Sequence, residues 1–231
     1  KEGGYDIGFA FDGDADRCLA VDSDGELIDG DKIIAIFSKF LKEQGKLKKD
    51  TAVVTVMTNI GFKKFAAENN INVALTKVGD RYVLEALNER GLSLGGEQSG
   101  HIIFSKYATT GDGQLSGAMI LSIMKRTGEK LSNLAKVMER MPQVLINVKV
   151  SAEGKLSFYT DKEIKAELNR VTEILGDRGR ILIRVSGTEP LVRVMLEGND
   201  EEYITKKANY LAKLIEDGVF TEKQLDDAVM R

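Results

Sequence analysis

The sequence predicts an α/β protein in which a mixed sheet, mainly parallel and covered by helices, precedes a smaller α+β domain. Over residues 31–138, apolar runs of strand length alternate with stretches whose apolar residues recur at helical spacing, as in strand–helix crossover units. After Met141 and Pro142 the pattern changes to strand, helix, strand, strand, helix. The chain of 231 residues is long enough for two ordinary domains, so we place a boundary near Pro142.

The first part begins with two apolar runs, Tyr5–Phe11 and Cys18–Asp22, which flank an acidic loop and predict a strand on each side of it. The apolar spacing predicts, in chain order, a helix over 31–44, a strand over 52–57, a helix over 62–68, a strand over 71–76 and helices over 82–89, 114–125 and 131–138.

The second part is predicted to form a compact β-α-β-β-α unit. Its elements are a strand over 144–150, a helix over 164–175, strands over 181–185 and 191–196 and a helix over 204–215. The last residues, 221–231, are predicted as a short helix or a loose tail.

Composition excludes several classes of protein. A net charge of −3 argues against a nucleic-acid-binding surface spread over the chain. The single cysteine can form neither an internal disulfide nor a cysteine-rich zinc site, so we expect a cytoplasmic protein. No apolar run approaches the about 18 residues of a membrane span. The chain starts at Lys1 without a methionine, and we expect it to be part of a longer protein.

Three carboxylates at alternate positions, Asp12, Asp14 and Asp16, crowd into the acidic loop. Small residues between them let the loop curl so that the carboxylates converge, and such oxygen ligands suit Mg²⁺, Ca²⁺ or Mn²⁺ rather than zinc. An EF-hand is disfavoured because Arg17 and Ser23 stand where that loop needs Gly and Glu. The alternative is a solvated acidic turn. Arg17 adds a fixed cation suited to a phosphoryl group held at the metal.

A glycine-rich loop, Gly95–His101, lies between two short apolar runs. Glu97, Ser99 and His101 alternate in it, so in an extended loop their side chains would face one way. A carboxylate and a hydroxyl on one face suit the hydroxyls of a sugar, and His101, the only histidine, can stabilise charge or move protons. The alternative is a polar hairpin with a hydrogen-bonded histidine.

A third loop, Arg184–Pro190, joins two apolar strands in a locally positive stretch. An arginine, two hydroxyl groups and backbone N–H groups freed by Gly187 can surround a phosphate. The sequence contains no Walker A pattern, so a nucleotide P-loop is excluded. The alternative is a plain β-turn.

Together the three loops resemble those of the α-D-phosphohexomutase superfamily in order and spacing. Asp12–Arg17 resembles its metal loop, Gly96–His101 its sugar loop and Arg184–Pro190 its phosphate loop. The resemblance covers residues 5–218. Within it, Thr109–Gly113 resembles the glucosamine-phosphate branch more than the mannose-phosphate branch.

The resemblance implies an enzyme that interconverts glucosamine 6-phosphate and glucosamine 1-phosphate through a phosphoserine and a bisphosphosugar. It implies Mg²⁺ on the three aspartates, Arg17 at the transferring group, and Lys77 as general acid/base, a role His101 could share. The sugar hydroxyls and the phosphate that does not react would be held by Glu97, Ser99, Arg184, Ser186, Gly187, Thr188 and, more weakly, Arg193.

The resemblance also implies a four-domain protein about twice this long. Residues 1–26 would end domain 2 with the metal loop, residues 27–140 would be the α/β sugar-binding domain 3, and residues 141–220 the α+β phosphate-binding domain 4, before the tail at 221–231. The superfamily's phosphoserine loop has no counterpart in this sequence, so this portion alone is expected to be inactive. The expected partners are a hexosamine phosphate, the N-terminal domains and, through domain 1, a second copy in a homodimer.

Other functions stay open at this point. One is a mutase of the same superfamily acting on mannose or glucose phosphates, and another is a non-catalytic phosphosugar-binding fragment. A metal-dependent phosphatase with Asp12 as nucleophile is disfavoured, because that class wants Thr or Val where Asp16 stands. Neither a nucleic acid nor a membrane is an expected partner.

Overall fold

The structure, a computed structural model, describes residues 2–151, 161–186 and 189–218. The chain divides into two compact units, Lys1–Arg140 and Met141–Arg231, and each has a hydrophobic core. The tail predicted at 221–231 lies outside the described residues.

A three-stranded antiparallel sheet opens the first unit. Its strands are β1 (Ile7–Phe11), β2 (Cys18–Asp22) and β3 (Leu27–Ile28), in that order. β1 pairs with β2 so that Phe11 lies opposite Cys18. Residues 12–17 therefore form the closed end of a hairpin, and this pairing positions the acidic loop.

A four-stranded mixed sheet follows, as predicted. Its strands are β4 (Thr51–Thr55), β5 (Asn72–Thr76), β6 (Leu94–Gly96) and β7 (Ile102–Phe104). The order is β5-β4-β6-β7, with β4 parallel to β5 and β6, and β7 antiparallel to β6. The parallel strands end at one edge of the sheet, where their following loops meet.

Helices connect and cover these strands. They are α1 (Gly30–Glu43), α2 (Gly61–Glu68), α3 (Asp80–Arg90), α4 (Gly113–Thr127) and α5 (Leu131–Leu134). Aspartates cap two of them: the Asp29 carboxylate accepts the Lys32 N–H, and the Asp112 carboxylate accepts the Leu115 N–H. None of the helices within the described residues is long and apolar enough to cross a membrane.

The helix predicted over 131–138 is shorter in the structure. α5 ends at Leu134, and a 3₁₀ turn, Ala135–Val137, follows it. Lys130 precedes α5 without a side-chain capping hydrogen bond. An eight-residue helix without a cap is marginal, because few hydrogen bonds offset the cost of its first turn.

Apolar side chains cover both faces of the four-stranded sheet. On one face Phe37 of α1 meets Phe104 of β7, with ring centroids 5.0 Å apart. On the other face Val53 and Ile103 pack against Val83 of α3. Burial on both faces explains why β4 and β7 read as continuous apolar runs in the sequence.

The second unit is a three-stranded antiparallel sheet with helices on one face. Its described elements are β8 (Gln143–Lys149), α6 (Lys162–Leu175), β9 (Gly179–Val185), β10 (Leu191–Gly198) and α7 (Glu201–Gly218), with strand order β8-β10-β9. Val192 and Val194 pack with Val171 of α6 and Leu211 of α7. Arg193, between the two valines, faces the other side of the sheet.

The single cysteine reports on the packing of the first unit. Cys18 is completely buried in β2, and burial raises the pKa of its thiol to about 11. Because the thiolate is the reactive form, we expect folded Cys18 to react with a thiol-reactive disulfide reagent near pH 8 at least ~100-fold more slowly than in urea-unfolded chain. Reaction at the unfolded rate in native buffer would contradict this packing.

Candidate functional site

The acidic loop forms a compact cluster of oxygens at the end of the β1–β2 hairpin. One carboxylate oxygen from each of Asp12, Asp14 and Asp16 lies within 4.8 Å of the others. The backbone turns between them because Ala15 has a left-handed φ of 57°, and its N–H donates to the Asp12 carbonyl over 3.2 Å. Such a conformation costs a non-glycine residue roughly 1–3 kcal/mol, so surrounding contacts must hold the loop in this shape.

Arg17 helps to keep the first carboxylate ionised. Partial desolvation raises the pKa of Asp12, but the Arg17 N–H hydrogen bond (3.1 Å), the contact with Asp16 and the Arg17 guanidinium together lower it below its usual value. Arg17 Nε lies 3.5 Å from Asp12 Oδ2 and 3.7 Å from Asp16 Oδ1. Asp12 is therefore held in the charged form that ligates cations.

The cluster fits a hard divalent cation. All its donors are carboxylate oxygens, the ligands that Mg²⁺ and Mn²⁺ prefer. Within the described residues, Asp16 Oδ1 is buried and accepts no hydrogen bond. Asp14 makes no hydrogen bond or ion pair with any residue that the structure describes. Both carboxylates thus keep an oxygen for a metal ion.

The glycine-rich loop touches the acidic loop directly. Arg17 and His101 form an isolated antiparallel bridge. His101 Nδ1 lies 3.0 Å from Asp16 Oδ2, and the Gly111 N–H donates to His101 Nε2 over 3.0 Å. The structure therefore brings together two loops that are far apart in the sequence.

Close backbone contacts anchor the glycine-rich loop on its neighbours. The Gly30 N–H, at the start of α1, donates to the Gln98 carbonyl over 3.0 Å, and the Cys18 N–H donates to the Gly100 carbonyl over 3.2 Å. A Cβ on Gly100 would overlap the Cys18 carbonyl oxygen, and one on Gly30 would overlap the Glu97 carbonyl oxygen. Glycine is therefore required at both contacts.

The glycine-rich loop is not extended, so the condition under which Glu97, Ser99 and His101 would face one way is not met. The Gly100 N–H donates to the Glu97 carbonyl over 3.0 Å, and Gly100 has a φ of +89°, so the chain turns at this point. As a result Ser99 is exposed whereas His101 is 2% exposed, and the two side chains do not share a face. Glu97 is half-buried, and its Oε1 accepts the Gly79 N–H over 2.9 Å.

Lys77 follows β5 at the edge where the parallel strands end. It is exposed, and its Nζ lies 5.8 Å from the centroid of the Tyr82 ring, a cation–π distance. Residues 77–79, between β5 and α3, form the Lys77 loop. The Gly79–Glu97 hydrogen bond joins this loop to the glycine-rich loop. In open α/β sheets ligands bind at this edge, so Lys77 and Glu97 are placed for one site.

The second unit presents two arginines near the end of its β9–β10 hairpin. Arg184 is exposed and lies directly opposite Arg193 in the antiparallel register. Arg193 Nη2 lies 2.7 Å from Glu189 Oε2, which offsets one of the two charges. Ser186 is buried, and its Oγ accepts the Glu189 N–H over 3.2 Å. The described ends of the predicted phosphate loop thus carry one exposed guanidinium.

The predicted site residues fall into two groups. The first unit carries the three aspartates, Arg17, Lys77, Glu97, Ser99 and His101, and it joins Asp12 and Asp16 directly to Arg17, and Asp16 to His101. The second unit carries Arg184, Ser186 and Arg193. Gly187 and Thr188 lie outside the described residues. The backbone contacts of Gly30, Gly79 and Gly111 could not be predicted from the sequence, where their only signal is the glycine at each position.

Two family models match consecutive parts of the chain. Residues 29–141 match the phosphoglucomutase/phosphomannomutase alpha/beta/alpha domain III, and residues 145–214 match the phosphoglucomutase/phosphomannomutase C-terminal domain. The chain belongs to the phosphoglucomutase/phosphomannomutase family. Within this family's domain III lie Lys77 and the glycine-rich loop, and within its C-terminal domain lies the loop after Arg184.

Relatives in the phosphoglucomutase/phosphomannomutase family that are named phosphoglucosamine mutase cover most of the chain. The protein of Acetivibrio thermocellus is 54% identical over 216 residues, which are 94% of this chain and 48% of that protein. The protein of Clostridium novyi is 56% identical over 214 residues, 93% of this chain and 48% of that protein. The chain thus spans about half the length of the curated relatives it matches.

Solved structures share the fold. N-acetylphosphoglucosamine mutase of Aspergillus fumigatus, in complex with GlcNAc-6P and magnesium, matches with a TM-score of 0.77 at 21% identity, over 92% of this chain and 49% of that chain. A phosphoglucomutase/phosphomannomutase family protein of Burkholderia thailandensis matches with a TM-score of 0.73 at 23% identity, over 93% and 48%.

Proposed function

We propose that this chain is the metal-, sugar- and phosphate-binding portion of a phosphoglucosamine mutase, an isomerase that interconverts glucosamine 6-phosphate and glucosamine 1-phosphate. The proposal rests most on the 3.0 Å contact between Asp16 and His101, which joins the acidic loop to the glycine-rich loop. An oxygen cluster beside a loop of carboxylate and hydroxyl groups suits a divalent cation next to a sugar. The names of relatives at 54% and 56% identity support glucosamine as the sugar.

Phosphoryl transfer needs positioning and charge stabilisation more than covalent chemistry. In the proposed reaction, a phosphoserine elsewhere in the whole protein gives its phosphoryl group to one hydroxyl of the sugar phosphate. The bisphosphosugar reorients, and its other phosphate returns to the serine. Mg²⁺ held by Asp12, Asp14 and Asp16 would supply positive charge beside the phosphoryl oxygens. Arg17 donates hydrogen bonds to the transferring group.

The other residues of the first unit handle the sugar and its proton. Lys77, as the free amine, takes the proton of the attacking hydroxyl and, as the ammonium, returns it to the leaving oxygen. Its exposure beside the Tyr82 ring leaves the amine accessible to a substrate. Glu97 and Ser99 bind sugar hydroxyls, and Glu97 also keeps the Lys77 loop in place through Gly79.

The second unit would hold the phosphate that does not react. Arg184, with its exposed guanidinium, makes the charged contact. Ser186, Gly187 and Thr188 are proposed to add hydroxyl and backbone donors. Arg193 is the weaker ligand, because Glu189 already binds its guanidinium.

The domain assignment belongs to the same proposal. Residues 1–26 end domain 2, residues 27–140 form domain 3 and residues 141–220 form domain 4 of a longer enzyme that supplies the phosphoserine. The division into units after Arg140 supports the last boundary. A homodimer through domain 1 and a cytoplasmic location, expected from the single cysteine, complete the proposal.

The intact protein tests the function. With Mg²⁺ and a trace of bisphosphosugar, it should convert glucosamine 6-phosphate to glucosamine 1-phosphate. Phosphorus NMR measures the rate of this conversion. We expect kcat/KM for glucosamine phosphate to exceed that for mannose or glucose phosphate by at least about 10-fold. A preference for mannose phosphate would reassign the substrate, and no turnover of any of the three would reject the mutase.

Arg184→Ala in the intact protein tests the phosphate-binding role of Arg184 independently of the residues in the first unit. A hydrogen bond to a charged group is worth about 1.5–3 kcal/mol, so we expect KM to rise about 10- to 100-fold. Arg170→Ala is the matched control, because Arg170 pairs with Glu167 on an exposed face of α6. Equal KM values for the two variants would contradict the role of Arg184.

A further inference from the structure

The imidazole of His101 has both nitrogens engaged inside the protein. The residue is 2% exposed, Nδ1 lies 3.0 Å from Asp16 Oδ2, and the Gly111 N–H donates to Nε2 over 3.0 Å. Because Nε2 accepts a hydrogen bond, the proton of the neutral ring is on Nδ1. The contact with Asp16 is therefore a directed hydrogen bond, from Nδ1–H to the carboxylate.

Gly111 packs against the ring right beside the acidic loop. A Cβ on Gly111 would lie 2.5 Å from His101 Cε1, 2.6 Å from His101 Nδ1 and 2.7 Å from the Asp16 carbonyl oxygen. The backbone approaches the ring this closely because residue 111 has no side chain. The Asp16 carboxylate at Nδ1 and the Gly111 N–H at Nε2 therefore hold the ring in one orientation.

The two oxygens of Asp16 have different surroundings. Oδ2 receives the proton of His101 Nδ1. Oδ1 is buried and accepts no hydrogen bond from the described residues, and the Arg17 Nε is 3.7 Å from it. With Oδ2 occupied, Oδ1 is the oxygen left for the cluster with Asp12 and Asp14.

We infer that His101 is a positioning residue: its Nδ1–H turns the Asp16 carboxylate so that Oδ1 ligates the cation together with Asp12 and Asp14. The inference rests on the proposed function for the identity of the metal site. It differs from the shared proton-transfer role that the resemblance implies. A buried ring with both nitrogens engaged has none to offer a sugar hydroxyl.

Binding of Mn²⁺ alone to the chain, measured from the electron paramagnetic resonance signal of the free ion, tests this without any sugar. Hydrogen bonds to ligating groups change metal affinity about 10- to 100-fold, and we expect that loss for His101→Ala. His101→Asn should stay within about 3-fold of the unaltered chain, because its amide can donate from the position of Nδ1. His101→Gln, whose amide reaches the position of Nε2, should be as weak as His101→Ala.

Two variants calibrate the measurement. Asp14→Asn removes a ligand and should weaken Mn²⁺ binding. Ile103→Ala truncates a buried side chain that packs against Val53 and Val83, and it should leave Mn²⁺ binding unchanged. Full Mn²⁺ affinity in His101→Ala, or an equal loss in His101→Asn and His101→Ala, would overturn the inference. If rapid thiol reaction of Cys18 shows that the His101→Ala variant has unfolded, the Mn²⁺ affinities of His101→Asn and His101→Gln are compared instead. Equal affinities of these two variants would overturn the inference.

The mutase assay of the intact protein separates this result from the proposed function. Rescue of Mn²⁺ binding by Asn in a protein that converts no sugar phosphate would keep the positioning role and reject the mutase. Normal mutase activity in the unaltered protein, together with a Mn²⁺ affinity that His101→Ala does not change, would keep the mutase and reject the positioning role. In the intact enzyme, His101→Asn should also recover most of the kcat lost in His101→Ala, which a proton-transfer role would not allow.

Discussion

Asp14→Asn is expected to abolish catalysis in the intact protein while the chain stays folded. Within the described residues the Asp14 carboxylate contributes only to the cluster with Asp12 and Asp16. A metal ion at a transferring phosphoryl group is worth several kcal/mol, so kcat should fall by about 10³-fold or more. Without metal, loss of one of three neighbouring negative charges relieves repulsion. The free energy of unfolding should then be unchanged or higher by up to about 0.5 kcal/mol.

Asp24→Asn provides a control with the same change of charge. Asp24 is exposed in the turn after β2, at the end of this strand opposite to the acidic loop. We expect its substitution to leave both kcat and Mn²⁺ affinity unaltered. If Asp14→Asn kept more than about a tenth of the original kcat, the acidic cluster would not be the catalytic metal site.

Gly100→Ala is expected to damage the fold around the site more than any other single methyl group added in the glycine-rich loop. Gly100 has a φ of +89°, and a Cβ there would overlap the Cys18 carbonyl oxygen in β2. Left-handed strain costs roughly 1–2 kcal/mol, and the clash between backbone atoms adds to it. We expect a total loss of about 3–5 kcal/mol in the free energy of unfolding of the first unit.

The thiol of Cys18 gives a local readout of this damage. When the loop is pushed away from β2, the reaction of Cys18 with the thiol reagent should accelerate by at least about 10-fold. Gly128→Ala is the matched control, because Gly128 also has a positive φ (+72°) but has open space around its Cα. It should cost only about 1 kcal/mol and leave the thiol protected. Equal effects in the two variants would show that backbone strain alone matters.

Elements buried on both faces could be predicted from the sequence with small errors at their ends. The strand predicted over 52–57 spans Thr51–Thr55, and the helix predicted over 31–44 spans Gly30–Glu43. Long apolar runs and helical spacing record burial directly. The ends depend on single hydrogen bonds, such as the Asp29 cap, which periodicity does not record.

The sequence predicts which residue types form the candidate site, but not which of them contact each other. Asp12, Asp14 and Asp16 converge because their spacing is local. The contact of His101 with Asp16 joins residues 85 positions apart, and no spacing in the sequence encodes such a partner. The expectation that Glu97, Ser99 and His101 share one face assumed an extended chain, and the turn at Gly100 removes that condition.

The glycine-rich loop is fixed to neighbours on four sides, to β2 through Cys18, to α1 through Gly30, to the Lys77 loop through Gly79 and to the segment before α4 through Gly111. Changes at these positions are therefore not independent in evolution, since a change at one alters the cost of a change at another. An insertion or deletion in the loop would break several contacts at once. Under the proposed function, in which Ser99 binds a sugar hydroxyl, divergence in sugar preference is expected to proceed by exchange of the exposed Ser99 side chain on a backbone of constant length.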